Sequence, residues 1–398
     1  MRVVHFLHGR ANPNGTNGGD RVIYNLAKCS AELGAQVFVF GLSEKPPLTI
    51  GRAVVQNFCP PSDPFTLPST LTKALREIKP DVVHFHGVYS PRNVRLAQWL
   101  RRQGIPYAIS PHGGLMEEVL SRGRIKKIMY LTLLGRAFCR GASLFHCISQ
   151  AEADAVRLFG GEVPNVVGPH GLEGTDMQSL DAGALRRQYP QLSGKRIFGF
   201  LGRLDPAHKG LDLVVEGCAR IRPSLSNAVV IFAGPDWKNR TLALRSKVTE
   251  LGLKDTVLFV GPKMGQDKFN FLASCDVFIH PSRWEAGVPF SVLDALELAK
   301  PCLVTSGNFF GDFFQQHAAG MQVLPTREGV AEGLRYMAEA STDHLEAMGA
   351  DGRQAVLREF SWEHTAQKLL HAYGRRHSGP WHKGRETPLE HTEFGRSR

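Results

Sequence analysis

Short apolar runs alternate with longer amphipathic segments along most of this chain. The runs have the length and apolar character of buried strands, and apolar residues recur at helical spacing between them. Strands that alternate with helices in this way are typical of βαβ units, in which helices cover a parallel sheet. The pattern therefore predicts an α/β protein.

The pattern occurs twice along the chain. In the first half it predicts strands at residues 3–7, 37–41, 82–86, 107–110 and 144–148, and helices such as 21–33 and 92–103. In the second half it predicts strands at 197–201, 229–233, 257–260, 277–280 and 303–305. A polar stretch at 182–194, which contains Pro190, separates the two series. We therefore predict two Rossmann-like domains with a boundary near residues 170–195.

The last part of the chain departs from the strand pattern. Beyond Ser341 only helices are predicted, at 344–360 and 362–373, and the residues from Ser378 onward are polar and basic without an apolar period. The predicted organisation is given by four segments: an N-terminal domain at 1–175, a second domain at 190–355, a C-terminal helix at 356–376 and a disordered tail at 377–398.

Composition narrows the class of protein. The chain is 42% hydrophobic and 21% charged, which is typical of ordinary globular proteins. Its seven cysteines include no Cys-x-x-Cys pair, so we predict neither a disulfide framework nor a zinc site. Its apolar runs are shorter than the ~20 residues that span a bilayer, and its first residues form a predicted strand instead of a signal sequence. We expect a cytoplasmic protein.

The net charge is strongly basic. A formal charge of +11 and a pI near 9.4 favour anionic partners. No nucleic-acid recognition motif accompanies this charge, so a nucleic-acid partner is not predicted. Phosphorylated ligands or an acidic membrane surface are the partners that the charge favours.

Glycines and cations follow predicted strands, where parallel sheets bind their ligands. Gly15-Thr16-Asn17-Gly18-Gly19-Asp20 precedes the first helix, where backbone N–H groups can bind a phosphate; a flexible turn is the alternative. Arg203 and Lys209 follow the first strand of the second half. Such a pair can clamp a diphosphate, although two solvated surface cations are the simpler alternative.

A third cluster follows the fourth predicted strand of the second half. Pro289 suits the first position of the next helix, which places the amides of Gly287 and Val288 at a helix N-terminus, another anion site. Glu285 and Asp294 add two carboxylates, which accept hydrogen bonds from vicinal hydroxyls. One carboxylate would suit a sugar and the other a ribose.

These clusters together resemble the retaining GT-B enzymes of glycosyltransferase family 4. The resemblance is carried by six motifs in order: Gly-Gly at 18–19, Asp-Val-Val-His-Phe-His at 81–86, Ser-Pro-His-Gly at 110–113, Gly-Arg-Leu-Asp-x-x-x-Lys-Gly at 202–210, Asp-Val-Phe-Ile-His-Pro-Ser at 276–282 and Ser-Arg-Trp-Glu…Asp-Ala-Leu at 282–296. It implies two Rossmann-like domains that face each other across a crevice, with C-terminal helices crossing back to the N-terminal domain.

The resemblance implies roles for residues at the phosphates. Gly18 and Gly19 would approach the donor diphosphate with their backbone N–H groups. Arg203 and Lys209 would stabilise the departing diphosphate, and His112 would lie beside the transferred sugar.

The resemblance also implies roles at the sugar and the ribose. Glu285 would contact the donor sugar and Asp294 would hold the ribose, with Gly287 and Val288 in the donor site. No cofactor and no obligatory metal are implied, and the chain contains no Asp-x-Asp motif.

The chain departs from the family pattern at three positions. Eight residues separate Glu285 from Asp294 where the family usually has seven, so Ala286 could occupy the place of the first carboxylate. Asp294 stands for a glutamate and reaches one methylene less far. His170 stands where asparagine is usual, and we predict a hinge or crevice residue there, with a structural turn as the alternative.

Histidines occur on and after the predicted strands. His112 ends a strand at the predicted crevice edge, which favours a functional role over a structural one. His84 and His86 alternate along one strand and share a face, but no carboxylate accompanies them at ligand spacing. A metal site is therefore not predicted.

The segment 122–140 is basic and amphipathic. Such a helix can lie on anionic lipid, which would hold the protein at the inner face of the cytoplasmic membrane beside a lipid-linked acceptor. A helix packed on the N-terminal domain with its lysines in solvent is the alternative.

The predicted function is retaining transfer of a sugar from a nucleotide-diphosphate sugar to a glycan or lipid-linked glycan, by analogy in surface polysaccharide biosynthesis. Two alternatives stay open. A nucleotide-sugar epimerase of the GT-B fold would convert its donor without an acceptor. A catalytically silent nucleotide- or carbohydrate-binding protein would explain the changed spacing of Glu285 and Asp294.

Overall fold

The structure is a computed structural model that describes residues 1–12, 18–121, 123–172, 174–307, 310 and 313–375. Residues 15–17 of the first glycine cluster, Arg122 of the basic segment and the predicted tail at 377–398 lie outside the described residues. The described part contains two parallel sheets, one in each half of the chain.

The first sheet has seven strands in the order β3-β2-β1-β4-β5-β6-β7 within the described part of the chain. Its strands are β1 (Arg2–His8), β2 (Gln36–Leu42), β3 (Val54–Phe58), β4 (Val82–His86), β5 (Tyr107–Ser110), β6 (Leu144–Cys147) and β7 (Asn165–Val167). The helices that connect them are α1 (Gly18–Glu32), α2 (Ser69–Ile78), α3 (Pro91–Arg102), α4 (Glu117–Ser121), α5 (Arg124–Tyr130), α6 (Arg136–Arg140) and α7 (Gln150–Gly160), with a π-helical turn at Leu131–Gly135.

The second sheet has six strands, again counted over described residues, in the order β10-β9-β8-β11-β12-β13. Its strands are β8 (Arg196–Leu201), β9 (Ala228–Ala233), β10 (Val257–Gly261), β11 (Val277–His280), β12 (Cys302–Thr305) and β13 (Gly320–Val323). The accompanying helices are α8 (Ala184–Gln188), α9 (Pro206–Lys209), α10 (Leu211–Arg220), α11 (Thr241–Glu250), α12 (Gln266–Ser274), α13 (Phe290–Glu297), α14 (Phe313–Gln316), α15 (Arg327–Glu339), α16 (Thr342–Glu359) and α17 (Trp362–Gly374).

The central strands are buried on both faces. Every residue of β4 and of β9 is buried; β9 is accordingly a continuous apolar run, whereas β4 carries His84 and His86 between its Val and Phe residues. Helices cover both faces of each sheet, and separate apolar clusters fill the layers on either side. In both sheets the strand order reverses in the middle, between β1 and β4 and between β8 and β11. Ligands of such sheets bind at this reversal, beyond the carboxyl ends of the strands.

The C-terminal helix returns to the first domain. Helix α17 packs on α1, and the hydroxyl of Tyr373 in α17 donates to Nδ1 of His84 in β4, 2.7 Å away. The segment that leads into α17 lies beside the connection that leaves β7, at Pro169-His170-Gly171. The backbone N–H of Leu172 donates to the Phe360 carbonyl at 3.3 Å.

None of the described helices combines the length and the apolar character that crossing a membrane requires.

A glycine at 171 is required where the two connections cross. A Cβ on Gly171 would lie 2.2 Å from the backbone nitrogen of Trp362, far inside contact distance. We predict that Gly171→Ala lowers the free energy of unfolding by about 1–3 kcal/mol, as overpacking does. Thermal unfolding measures this. Gly374→Ala, where the nearest atom would be 3.6 Å away, is the control and should not lower the midpoint. Equal midpoints for the two variants would show that the connections do not pack as described.

Candidate active site

A cavity of about 400 Å³ lies in the crevice between the two sheets. Its walls come from segments that follow each strand from β5 to β11, and from the N-terminal parts of α1, α12 and α13. The structure brings together in this cavity all the site residues that the sequence predicted: Gly18, Gly19, His112, Arg203, Lys209, Glu285, Gly287, Val288 and Asp294.

Glu285 keeps its carboxylate in the cavity despite the inserted residue. Its Oε1 accepts from the Lys209 ammonium, from the Ser282 hydroxyl at 2.6 Å and from Nε2 of His280 at 3.0 Å. Burial alone would raise the pKa of Glu285, but Lys209 and His280 outweigh it, and the pKa is held well below its usual value. Glu285 is therefore an ionised acceptor already paired with Lys209.

Ala286 does not take the place of the carboxylate. It packs instead against the N-terminal domain, where a Cβ on Gly113 would lie 2.2 Å from its own Cβ. Gly113 therefore has to be glycine for the two loops to meet. The inserted residue helps to close the crevice between the domains.

Asp294 pairs with a cation from the opposite domain. Its Oδ1 and Oδ2 accept from both terminal nitrogens of Arg21 in α1, at 3.0 and 3.2 Å, and Oδ2 also accepts from Lys268 of α12 at 3.1 Å. Burial would raise the pKa of Asp294, but the two cations lower it below its usual value. The Arg21 guanidinium also lies 4.1 Å from the centroid of the Phe290 ring. Sequence analysis identified neither Arg21 nor Lys268.

Arg203 has a different environment from the paired cations. Its guanidinium lies 4.5 Å from the centroid of the Trp237 ring, and it forms no ion pair with the described carboxylates. Stacking leaves the N–H groups along its edge directed away from the ring. No described carboxylate balances the charge of Arg203, nor that of Lys263, whose ammonium donates to the Gln188 amide oxygen at 3.3 Å.

His112 has a left-handed backbone, with a φ of 51°. This conformation costs a residue other than glycine about 1–2 kcal/mol. The buried carboxylate of Glu152 secures it by accepting from the N–H of Gly113 and, at 2.8 Å, from the N–H of Ile148. Burial raises the pKa of Glu152 to about 7. Backbone strain that the surroundings enforce is common at functional sites.

His170 is a crevice residue. Its ring stacks on Phe290 with centroids 4.3 Å apart, and its Nδ1–H donates to the Val288 carbonyl at 3.1 Å. Burial lowers the pKa of His170 to about 3, so the ring is neutral at physiological pH. The ring thus joins the connection between the domains to the start of α13.

The balance of charge favours an anionic ligand. Among the described residues that line the cavity, five cations stand against two carboxylates. The cations are Arg21, Arg203, Lys209, Lys263 and Lys268, and the carboxylates are Glu285 and Asp294. The first turn of α1 and the start of α13 add backbone N–H groups and the positive ends of helix dipoles. The arrangement suits a ligand with at least two negative charges.

Two family models match the chain, one for each domain. The model described as Glycosyltransferase Family 4 matches residues 16–173, and the model described as Glycosyl transferases group 1 matches residues 181–355. A curated relative is the UDP-Gal:alpha-D-GlcNAc-diphosphoundecaprenol alpha-1,3-galactosyltransferase of Escherichia coli. The two chains are 25% identical over 252 residues, which are 60% of this chain and 61% of the relative. The match thus spans about three fifths of that relative.

Solved structures show the same fold over nearly the whole chain. Sucrose-phosphate synthase from Thermosynechococcus elongatus superimposes with a TM-score of 0.73 at 17% identity, over 94% of this chain and 98% of the other. Anabaena HepE, solved in complex with UDP and glucose, has a TM-score of 0.73 at 19% identity, over 93% and 98% of the two chains.

The two facing Rossmann-like domains and the returning C-terminal helix form a GT-B fold, which confirms the predicted fold, and the matches to both family models make the protein a glycosyltransferase of this fold. Within that class, the chain belongs to the group 1 glycosyltransferases of glycosyltransferase family 4.

The pair between Arg21 and Asp294 should stabilise the closed crevice. We predict that Arg21→Met lowers the free energy of unfolding at pH 7 by about 3 kcal/mol, because it leaves a buried carboxylate short of a partner. A lowered carboxyl pKa stabilises the fold above the unfolded-state pKa, which is about 4, and the gain is lost as the pH falls further. The difference between wild type and variant should therefore narrow between pH 4 and pH 3.

Thermal midpoints at pH 7 and pH 3 measure this effect. Arg220→Met is the control, because Arg220 pairs with Glu328 on the surface, where both side chains are 60% exposed. It should change the midpoint little at either pH. A loss for Arg21→Met that stays the same down to pH 3 would contradict the ionic origin of the stabilisation.

Proposed function

We propose that this glycosyltransferase moves a sugar from a nucleotide-diphosphate donor to an acceptor hydroxyl with retention of anomeric configuration. The observation that carries the proposal is the excess of cations in the crevice, where no described carboxylate balances Arg203 or Lys263. The relative from Escherichia coli is named for a UDP-sugar donor, and the Anabaena structure contains UDP and glucose. Both support a nucleotide-diphosphate donor in this crevice.

Charge placement supports stabilisation of the leaving group. As the bond between sugar and diphosphate breaks, negative charge grows on the β-phosphate and positive character grows on the sugar. Arg203 and Lys209 would stabilise the phosphate, and they are held in place before the reaction begins. The Glu285 carboxylate orients Lys209 and can accept hydrogen bonds from sugar hydroxyls through its second oxygen. Asp294 could accept hydrogen bonds from a ribose only while its oxygens also accept from Arg21 and Lys268.

Retention is supported by the lack of a suitable base among the described cavity residues. Inversion needs a general base that takes the proton of the acceptor hydroxyl. The pKa values of Glu285 and Asp294 are held low by cations, and burial lowers the pKa of His112 to about 3. Each is therefore a weak base. In a retaining reaction on one face of the sugar, an oxygen of the departing β-phosphate takes that proton as the new glycosidic bond forms.

A lipid-linked acceptor at an anionic membrane is supported by the surface of α5 and the turn after it. Ile125, Met129 and Leu133 recur at four-residue spacing and are 76%, 57% and 72% exposed. The opposite side of this segment packs on the N-terminal domain through Leu131 and Phe138. Basic residues flank the apolar surface: Arg124, Lys126, Arg136 and Arg140. Apolar residues beside cations suit a bilayer with acidic headgroups.

Arg203→Ala should lower kcat about 10²–10³-fold, because a fixed transition-state donor is lost. Turnover of UDP, GDP and ADP sugars with a glycolipid acceptor measures this. Lys238→Ala is the control, because Lys238 also lies near Trp237 but does not line the cavity. It should retain normal turnover. Normal turnover by Arg203→Ala would contradict the proposed role of Arg203 in stabilising the departing diphosphate. Donor binding without any turnover would support a silent binding protein, and donor conversion without acceptor would support an epimerase.

Leu133→Glu should weaken binding to anionic membranes. The substitution places a carboxylate on the apolar surface, where burial of charge in the interface is costly. Flotation with vesicles of phosphatidylcholine and phosphatidylglycerol measures binding. Leu242→Glu is the control, because Leu242 is equally exposed, at 72%, but lies on α11 of the second domain. Wild-type protein that stays with the soluble fraction, or equal loss in both variants, would contradict the membrane surface.

A further inference from the structure

Histidines gather under the crevice at the centre of the first sheet. His5 of β1, His84 and His86 of β4 and His146 of β6 are all buried, and His112 follows β5. The parallel register places His5 directly opposite His84. His112 lines the cavity, and the proposed reaction gives the four buried rings no role.

One series of hydrogen bonds has a fixed direction. Nε2–H of His146 donates to the Gly168 carbonyl at 3.0 Å, since a carbonyl can only accept. Nδ1 of His146 then accepts from the Ser110 hydroxyl at 2.8 Å. Ser110 in turn accepts from Nε2–H of His84 at 2.7 Å, and Nδ1 of His84 accepts from the Tyr373 hydroxyl at 2.7 Å. We call this the anchored series.

The anchored series argues against a metal site. Among the described residues, the three rings of His5, His84 and His86 offer nitrogens close enough to share an ion. Both nitrogens of His84 are already committed, however. The rings of His84 and His86 also stack with centroids 4.5 Å apart and planes at 30°, so their lone pairs do not converge on one point. A tetrahedral site needs convergent lone pairs.

A second series runs from the interior to the crevice. Nδ1 of His5 lies 2.9 Å from Nε2 of His86, and Nδ1 of His86 lies 3.0 Å from Nε2 of His112. We call these three residues the crevice series. Burial lowers the pKa of His5 and of His112 to about 3 and that of His86 well below its usual value, so all three rings are neutral. Each neutral ring has one N–H and one lone pair.

Two directions satisfy the crevice series. If the protons point inward, every ring carries its proton on Nε2, and the buried Nε2–H of His5 has no partner. If they point outward, every ring carries its proton on Nδ1, and His5 leaves only a lone pair without a partner. An orphaned buried N–H is rarer in proteins than an acceptor without a partner. The outward direction is therefore favoured, and it leaves Nδ1–H of His112 as a donor outside the series.

We propose that His86 and His5 are positioning residues that hold His112 as its Nδ1–H tautomer, so that His112 presents a hydrogen-bond donor to an oxygen of the sugar or phosphate of the ligand. The proposal rests on the proposed function for the identity of that ligand, but the tautomer itself does not depend on it. With Nδ1–H of His112 as a hydrogen-bond donor, this wall of the cavity would favour ligands that place an oxygen acceptor beside His112.

Nitrogen chemical shifts test the tautomer directly. The full chain, labelled with ¹⁵N-histidine, should show His112 with its proton on Nδ1 at pH 7, and the signal is assigned by its loss in His112→Gln. A proton on Nε2 of His112 would overturn the proposal. His86→Asn should keep the Nδ1–H form, because its amide can donate to Nε2 of His112. His86→Leu should shift His112 toward the Nε2–H form.

Kinetics test the positioning role. His86→Leu should lower kcat about 10-fold, part of the 10²–10³-fold effect of losing a fixed donor, with little change in KM for the nucleotide sugar. His86→Asn should restore most of this loss. Equal kcat for His86→Leu and wild type, or equal losses in both variants, would overturn the positioning role. Absence of turnover in wild type with the Nδ1–H form present would contradict the proposed function and leave the tautomer standing.

Discussion

A carboxylate that is buried away from water needs a cation beside it, and in this protein one such cation comes from the other domain. Asp294 lies on α13 of the second domain, and its bidentate partner Arg21 lies on α1 of the first. Both side chains are almost fully buried, so water cannot replace either partner without opening the crevice. The relative position of the two sheets, and with it the shape of the cavity, therefore depends on this pair.

The same pairing decides which cations are available to a ligand. Arg21 and Lys268 balance Asp294, while Lys209 balances Glu285. Arg203, which stacks on the Trp237 ring, and Lys263, which donates to Gln188, have no described carboxylate as a partner. A dianionic ligand can therefore bind without first breaking the bridge between the domains. The structural carboxylate and the candidate leaving-group clamp occupy one cavity but use different cations.

Much of the fold could be predicted from the sequence, because the interior strands are nearly continuous apolar runs. The predicted strands at 82–86, 107–110 and 277–280 have the same bounds as β4, β5 and β11, and the other predicted strands differ from the observed ones by no more than one residue at either end. The strands that were not predicted are β3, β7 and β13, which all lie at sheet edges. Their residues are half exposed or alternate in burial, so they carry no run of apolar residues.

The candidate site could be predicted only in part. Arg203, Lys209 and Glu285 lie on the segments that leave the carboxyl ends of β8 and β11, and parallel topology alone places these segments at one edge of the sheet. Arg21 is 273 residues from Asp294 along the chain, and no local pattern indicates a contact between domains. His84 and His86 were predicted to share a face, but the alignment of β1 with β4 that places His5 opposite His84 is a property of the folded sheet.

If the crevice binds a nucleotide-diphosphate donor, the diphosphate contacts cations that no described carboxylate balances. Titration calorimetry with UDP, GDP and ADP, each compared with its monophosphate, measures this recognition. One diphosphate should bind at least about 10-fold more tightly than its monophosphate, since a further charged hydrogen bond contributes about 1.5–3 kcal/mol. This preference should shrink in Arg203→Ala. Equal affinity for a diphosphate and its monophosphate, or no binding by the folded protein, would show that these cations do not recognise a diphosphate.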